Sequence, residues 1–365
     1  MSMGASSREA QVIEQDQFDE QMDAARKTRL NPTLAYILRR LGLFLVLIWG
    51  ALTLTFVFIR LIPGNPIDAL VTQMEIQGQY GGVDTSTQIV EFYEEEFGLN
   101  GSIPEQYVSY LNRVIIHQDF GPSLVSYPVP ATELIARALP WTIFLVGMSV
   151  IMGWLFGVVA GCAVGWARKS RWSGWVTNFC LVTANIPDYF FALWFVFIFA
   201  YALDWFPANG AYDASLRPGF TWPFISSMFY YAALPIASSV LVRATDWLIS
   251  TRSLVVNILG EDYLTYAQAR GLKNKNILTR IVMRNTWLPQ IAGLGISLGG
   301  IVGGNILIEN LFRYPGIGTL MVEATALKDV NTMMACLSMM IILVLSANLI
   351  IDLLLPIIDP RVRRS

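Results

Sequence analysis

The residue types that most often carry enzymatic chemistry are scarce in this chain of 365 residues. Its single histidine is His117, and its three cysteines, Cys162, Cys180 and Cys336, lie far apart in apolar stretches. This spacing offers neither a disulfide framework nor a cluster of metal ligands, so we expect three buried, unpaired thiols. Glycine is abundant, but no Gly-Lys-Ser/Thr sequence follows it, and we therefore expect no nucleotide site in the chain itself.

The composition indicates a membrane rather than an aqueous surrounding. Hydrophobic residues make up 54% of the chain and charged residues 14%, and the mean hydropathy is +0.50. A soluble domain carries roughly 25% charged residues, so an ordinary soluble enzyme is excluded. The net charge of −2 argues against a basic protein that binds nucleic acid.

Long runs without a charged residue predict an all-α, polytopic membrane protein with six transmembrane helices. A helix of about 20 residues crosses a hydrocarbon core of about 30 Å, and it satisfies its own backbone hydrogen bonds in lipid. One span is predicted from about residue 187 to 203, after a half-length segment that ends at Ile186, and no cleavable signal peptide is expected. The five uninterrupted runs cover residues 41–59, 138–167, 218–242, 285–308 and 330–351.

Lysine and arginine are distributed unevenly between the segments that join these spans. If both termini lie on one side, that side carries 19 of the 25 Lys and Arg residues. The positive-inside rule then places both termini in the cytoplasm of a prokaryotic cell. Residues 61–137 are predicted to form an outer loop or small external subdomain, with a merely solvated acidic loop as the alternative. Residues 1–35 form a polar cytoplasmic extension, interpreted as a solvated helix or disordered tail, before the membrane domain 36–365.

One acidic residue interrupts an apolar tract. Asp188 follows Pro187 inside the run from 172 to 203. A charged group inside a membrane costs about 2.5 to 3.5 kcal/mol on insertion scales, so this side chain should face protein or water. Two interpretations stay open, a helix break near the cytoplasmic surface and a side chain that faces a cavity.

Two of the predicted spans carry glycine at every fourth position. Small residues at this spacing form a flat helix face, along which two backbones approach closely. We expect these faces to pack against other helices, with the lining of a path as the alternative. The helix-packing glycines are Gly153, Gly157, Gly161 and Gly165 in the second span and Gly295, Gly299 and Gly303 in the fifth.

The predicted cytoplasmic loop at 249–287 has a distinctive order of residues. Glu261 and Asp262 suit a helix N-terminus, and Gly271 suits a helix end, because glycine tolerates the left-handed conformation found there. A basic stretch with an apolar stripe follows at 273–284. The sequence predicts a short helix, a turn and an amphipathic helix that leads to the membrane, while a basic loop lying on anionic lipid stays open.

This loop resembles the signature of ABC-transporter permeases, and most closely that of the dipeptide/oligopeptide (peptide/nickel) importer family. The general signature, Glu-Ala-Ala with a later Gly, matches only at Ala267 and Gly271, and Thr265 departs from it. The signature of the peptide branch matches at Asp262, Tyr263, Tyr266, Ala267, Ala269, Gly271 and Leu272, and then at Arg284, Asn285 and Pro289.

The resemblance extends from about Tyr36 to the C-terminus. A Pro-Gly-Asn-Pro sequence follows the first span at 63–66, and Leu-Pro-Trp-Thr opens the second span at 139–142. Glu309 and Phe312 precede a Tyr-Pro-Gly-Ile-Gly sequence at 314–318, as in the family. The chain departs from the family at Asn331, where a proline usually stands two residues after Asp329.

The resemblance implies a type I ABC importer permease fold and a transport subunit that is not an enzyme. It implies as partners a second homologous permease subunit, two ABC ATPase subunits, an extracytoplasmic substrate-binding protein and the lipid bilayer, and no nucleic acid. ATP and Mg would be bound by the ATPases, with no cofactor in this chain, and their closure would drive alternating access through the loop helix. The coupling residues implied are Glu261, Asp262, Tyr263, Thr265, Tyr266, Ala267, Ala269, Arg270, Gly271 and Leu272.

Peptides are the expected substrates, and oligosaccharides, nickel and glutathione stay open because the binding protein makes most of the selection. An ion-coupled secondary carrier is the less favoured class, since it would usually need paired intramembrane carboxylates and repeat symmetry. A purely structural or regulatory membrane protein would not need the long amphipathic loop.

Overall fold

A computed structural model of the protein describes residues 32–61, 101–124, 126–301 and 305–358. Within these ranges the chain is helical and contains no extended strand, which confirms the all-α class. The helices are α1 (Pro32–Arg60), α2 (Ile103–Asn112), α3 (Ala131–Trp166), α4 (Arg171–Thr183), α5 (Asp188–Phe195), α6 (Trp222–Ile258), α7 (Asp262–Ala269), α8 (Asn274–Asn276), α9 (Met283–Gly299), α10 (Ile306–Leu311), α11 (Ile317–Ala326) and α12 (Val330–Ile358).

Three π-helical segments extend these helices. Arg113–His117 continues α2, Val196–Ala202 continues α5, and Ile277–Val282 joins α8 to α9. Most of the predicted N-terminal extension, the motif at 63–66 and Gly303 lie outside the described residues. The three cysteines are buried and unpaired, as the sequence predicts.

The number of continuous spans in the described residues differs from the predicted six. Four helices, α1, α3, α6 and α12, are long and apolar enough to cross a membrane. The helix α4 and the extended α5 together form a fifth candidate, a pair bent by 98°, with the break at the predicted place before Asp188. The predicted span at 285–308 is not one continuous helix. Its helix α9 ends at Gly299 beside a second glycine, and glycine weakens a helix interior.

The long helices α3 and α6 pack along each other and form the centre of the molecule. On one side of this pair, α1 and α12 pack together and cover the beginning of α3. On the other side, α5 lies along α6 and contacts α10. Apolar side chains fill the contacts within the bundle, and other large apolar side chains lie exposed on its outside.

Helix α2 shows that part of the predicted outer loop is ordered against the bundle. It starts where the Ser102 backbone N–H donates to Glu105 Oε2 at 2.8 Å, and this bond lowers the pKa of the Glu105 carboxyl. Tyr107 then shares a hydrogen bond with Thr53 of α1 at 2.7 Å, and Tyr110 shares one with Ser338 of α12 at 2.9 Å. These two bonds hold α2 against the ends of both helices.

Asn331, the residue at which the sequence departs from the family pattern, has a defined structural role. Its Nδ2 donates to the carbonyl of Pro122 at 3.0 Å. Next to it, the Asp329 carboxylate accepts from the Thr332 backbone N–H at 3.1 Å and from the Ser123 hydroxyl. The segment around residues 121–123 is thereby tied to the first turn of α12.

Candidate functional site

The loop helix α7 has the boundaries that the sequence predicts. Glu261 has extended backbone angles and precedes the first helical residue, Asp262. At the other end Gly271 has φ +71°, in the left-handed region, and its N–H donates to the Gln268 carbonyl at 2.9 Å. Leu272 N–H reaches back to the Ala267 carbonyl at 3.3 Å, so the reversed chain closes the helix end.

Helix α7 presents one buried face and one exposed face. Leu264 and Ala267 are buried in a cluster with residues from three other elements of the chain. Tyr263 and Tyr266 lie on the exposed face, with Tyr266 74% exposed. The cluster around Leu264 and Ala267 consists of Val158 and Cys162 of α3, Val255 of α6, and Ile277 and Val282 of the segment before α9.

The predicted coupling residues therefore separate into two groups. Ala267 is buried against other helices of the same chain. Successive residues differ by about 100° around the helix axis, but this spacing alone does not show which side of α7 faces the bundle. The other nine are exposed: Glu261, Asp262, Tyr263, Thr265, Tyr266, Ala269, Arg270, Gly271 and Leu272.

The four glycines of α3 lie against α6, one turn after another. A β-carbon at Gly153 would stand 2.8 Å from the β-carbon of Arg243, and one at Gly161 would stand 2.7 Å from the Leu248 carbonyl oxygen. Real β-carbons essentially never approach so closely, so the two backbones could not lie at this distance with larger residues. Gly157 meets Ala244 and Trp247 in the same way, and Gly165 meets Val255.

The glycines of α9 do not form one such face in the described residues. A β-carbon at Gly299 would stand 2.9 Å from Ile351 of α12, whereas a β-carbon at Gly295 would meet no atom within 4 Å. Gly293, outside the predicted repeat, is the residue that contacts Trp247 of α6. Helix α9 ends at Gly299, so the repeat does not continue along one described helix.

Asp188 has partners that its place in the sequence did not reveal. It is the first residue of α5, after the break at Pro187, and Asn305 Nδ2 donates to its Oδ2 at 2.5 Å. Arg243 of α6 is half-buried, its charge interacts with those of Asp188 and Asp246, and its Nε has no hydrogen-bond partner in the described ranges. The helix break expected from the sequence is thus also a meeting point of α5, α6 and the segment before α10.

A buried carboxylate holds the short helices α10 and α11 against α3. Glu309 Oε2 accepts from the Gly318 N–H at 2.7 Å and also bonds the Thr142 hydroxyl. Thr142 in turn accepts from the Ile317 N–H at 2.9 Å, so the first turn of α11 is capped from outside. A β-carbon on Gly316 would overlap Glu309, which explains why the motif needs glycine there. Sequence alone showed the motif but not this contact with α3.

The described geometry, a helical membrane bundle with an exposed loop helix seated on its central pair, agrees with the comparison to known families. The family described as binding-protein-dependent transport system inner membrane component matches residues 135–364, which is well over half of the chain. The chain belongs to this family. As a member it is a multi-pass membrane subunit of an ABC importer and not an enzyme, since ATP is hydrolysed by separate subunits.

Relatives with assigned roles cover nearly the whole chain. The oligopeptide transport system permease protein AppB of Bacillus subtilis is 29% identical over 331 residues, which are 90% of this permease and 99% of AppB. The glutathione transport system permease protein GsiC of Salmonella typhi is 29% identical over 332 residues, with the same coverage. The oligopeptide transport system permease protein OppB of Haemophilus influenzae is 28% identical over 330 residues, again with the same coverage. These similarities confirm the family resemblance of the sequence.

Proposed function

We propose that this permease moves peptides into the cytoplasm as one of two homologous permease subunits, together with two ATPase subunits and an extracytoplasmic binding protein. The relatives named above for oligopeptide and glutathione transport support this substrate class. Glutathione is itself a tripeptide, so it belongs to the same chemical class. Oligosaccharides and nickel stay as alternatives from the family resemblance.

The observation that carries the coupling role is the two-faced packing of α7. Its exposed side offers Tyr263, Tyr266 and a charged N-terminus to a partner. Its buried side, through Leu264 and Ala267, touches α3, α6 and the segment that leads into α9. A displacement of α7 is thus passed directly to three helices, because close-packed apolar contacts transmit movement rather than absorb it.

The mechanism follows from this connection. ATP and Mg bind to the partner ATPases, whose closure moves α7, and the attached helices change their positions relative to the second permease subunit. The substrate path is then opened alternately to the two sides of the membrane. The chain contributes binding surfaces and moving helices, and it contributes no step of covalent chemistry.

An alanine pair tests the coupling role. Tyr266→Ala is expected to weaken co-purification of the ATPases and substrate-stimulated ATP hydrolysis without loss of insertion, because Tyr266 is 74% exposed. Tyr201→Ala, at the end of the α5 extension, removes a tyrosine that is 71% exposed far from α7 and should behave like the wild type. Wild-type ATPase binding and stimulation in the Tyr266 variant would overturn the coupling role.

The substrate class is tested separately, with the complete transporter in vesicles. Uptake of a labelled oligopeptide should depend on the binding protein and ATP, and unlabelled peptides should compete with it. Competition by an oligosaccharide or by nickel, with none by peptides, would move the permease to one of the alternative classes and would leave the coupling result untouched.

A further inference from the structure

Helix α4 runs across the direction of its neighbours. Helix α5 lies antiparallel to α6, since Asp188 at its start is near Arg243 and Trp205, just after its end, accepts a hydrogen bond from Tyr230. The axis of α4 is bent by 98° from that of the extended α5. Because α6 crosses the membrane, α4 runs roughly along the membrane plane and does not form half of a span.

The side of α4 that faces the bundle carries small and polar residues. Ser173, Cys180 and Thr183 are buried there, and the Ser173 hydroxyl donates to the Val164 carbonyl near the end of α3 at 2.8 Å. Cys180 packs with Val164 and with Leu248 of α6. These contacts place α4 at the C-terminal end of α3 and against the part of α6 that follows its charge-free run at 218–242.

Large apolar side chains lie on the side of α4 that faces away from the bundle. Trp172, Trp175, Phe179 and Val182 follow the 3-4-3 spacing of one helix face, and Trp175 is 78% exposed. Gly174, Asn178 and Leu181 are exposed on the neighbouring arc. In water this arrangement would be unfavourable, because the residues that gain most from leaving water are the ones left outside.

Several positively charged residues lie at the start of α4, and no acidic residue is near them in the sequence. Arg168, Lys169 and Arg171 precede it or open it, and no acidic residue occurs between positions 134 and 187. Arg168 is used within the chain, where it donates to the Val256 carbonyl at 3.2 Å. Lys169 and Arg171 are exposed and remain available to an external anion.

We propose that α4 is an interfacial helix embedded in the cytoplasmic leaflet, with its exposed aromatic face in the boundary between acyl chains and headgroups and with Lys169 and Arg171 on anionic headgroups. An in-plane helix with tryptophans on one face and flanking cations is the pattern of membrane-surface helices. Tryptophan favours this boundary because its ring is apolar and its N–H is polar. The choice of leaflet rests on the proposed orientation, while the lipid contact itself does not depend on the substrate or on coupling.

Spin labelling in the assembled transporter tests the lipid contact. In a chain whose native cysteines are replaced, Trp175→Cys and Asn178→Cys each place a nitroxide on an exposed position of α4. In vesicles of phosphatidylcholine and phosphatidylglycerol, the label at 175 should collide often with oxygen and rarely with a water-soluble nickel chelate, and the label at 178 should collide more often with nickel than the label at 175 does. A label at 175 shielded from both reagents would show that protein, such as the second permease, covers this face. Frequent collision with nickel there would place the face in water, and either result overturns the proposal.

The anionic preference has its own readout. The measurement is the fraction of spin-labelled lipid that the protein immobilises, compared between phosphatidylglycerol and phosphatidylcholine. The double variant Lys169→Gln/Arg171→Gln should lose several-fold of the preference for phosphatidylglycerol, whereas Arg217→Gln, an exposed cation in the opposite loop, should keep it. An unchanged preference in the double variant would remove the anionic headgroup from the proposal.

Discussion

The absence of a β-carbon at particular positions decides which helices of this permease lie in contact. Gly157→Ala would place a β-carbon 2.6 Å from the Ala244 carbonyl and closer still to Trp247. Overpacking of this kind costs about 1 to 3 kcal/mol, so the unfolding midpoint of the purified complex should fall. Gly295→Ala is the matched change, because its β-carbon meets nothing within 4 Å. Equal midpoints for the two variants would contradict the close approach of α3 and α6.

At Gly316 the missing β-carbon leaves room for the Glu309 carboxylate, rather than for the backbone of a neighbouring helix. Gly316 has φ −94°, which any residue adopts, yet a β-carbon there would overlap Glu309 and stand 2.6 Å from Thr142. Gly316→Ala should therefore push Glu309 away from the Gly318 N–H, and a buried donor left without its acceptor costs about 1 to 3 kcal/mol. We expect a lower unfolding midpoint and slower transport. Gly219→Ala, in open space, should change neither.

Single residues also show where sequence reasoning stops. The four-residue repeat in α3 predicts a face that the structure does place against α6, because one continuous helix carries all four glycines. The same repeat in α9 misleads, since a β-carbon at Gly295 would meet no atom within 4 Å and the helix ends at Gly299. The partners of Asp188 were hidden for a different reason. Asn305 is 117 residues away in sequence, and periodicity carries no information on such a pair.

At the scale of an element, α7 depends on how its chain reverses at Gly271. Its left-handed backbone, φ +71°, costs about 1 kcal/mol with a β-carbon, although nothing in the described chain would clash with that carbon. Gly271→Asn should stay close to wild type, because Asn tolerates this conformation. Gly271→Ala should weaken substrate-stimulated ATP hydrolysis modestly, and Gly271→Arg should lose ATPase co-purification as well. If Arg and Ala gave the same co-purification, the backbone alone would matter and no partner would touch this position.

The sequence predicts the ends of a helix well where capping residues mark them. It predicts them less well where packing against other helices sets the boundary. The acidic start and glycine end of α7 and the break before Asp188 both follow from the sequence. The direction of α4 does not, because the sequence suggests half of a span, whereas α4 lies at 98° to the extended α5. The extent of α6 to Ile258, well past the predicted end at Val242, depends on glycine contacts with α3 that no charge count reveals.

In the molecule as a whole, α3 contacts both the α7 end of the bundle and the end where α2 and α11 pack. Its last third, with Val158 and Cys162, holds the buried side of α7. Toward its beginning Thr142 holds the first turn of α11, and Ile135 and Ala138 pack in the cluster that includes Tyr110 of α2. Helix α3 therefore contacts both clusters, which is the connection that the proposed coupling role requires. The same arrangement places α2 and α7 at opposite ends of the bundle.

That separation makes the orientation of the permease testable with two exposed residues. Ser102 precedes α2, and Gln268 lies on α7. In a chain without native cysteines, Ser102→Cys should react with a membrane-impermeant maleimide in intact cells, because the uneven distribution of Lys and Arg predicts that α2 lies outside. Gln268→Cys should react only after permeabilisation. The reverse pattern would invert the orientation and keep the architecture, whereas labelling of both from one side would contradict the separation of α2 and α7 itself.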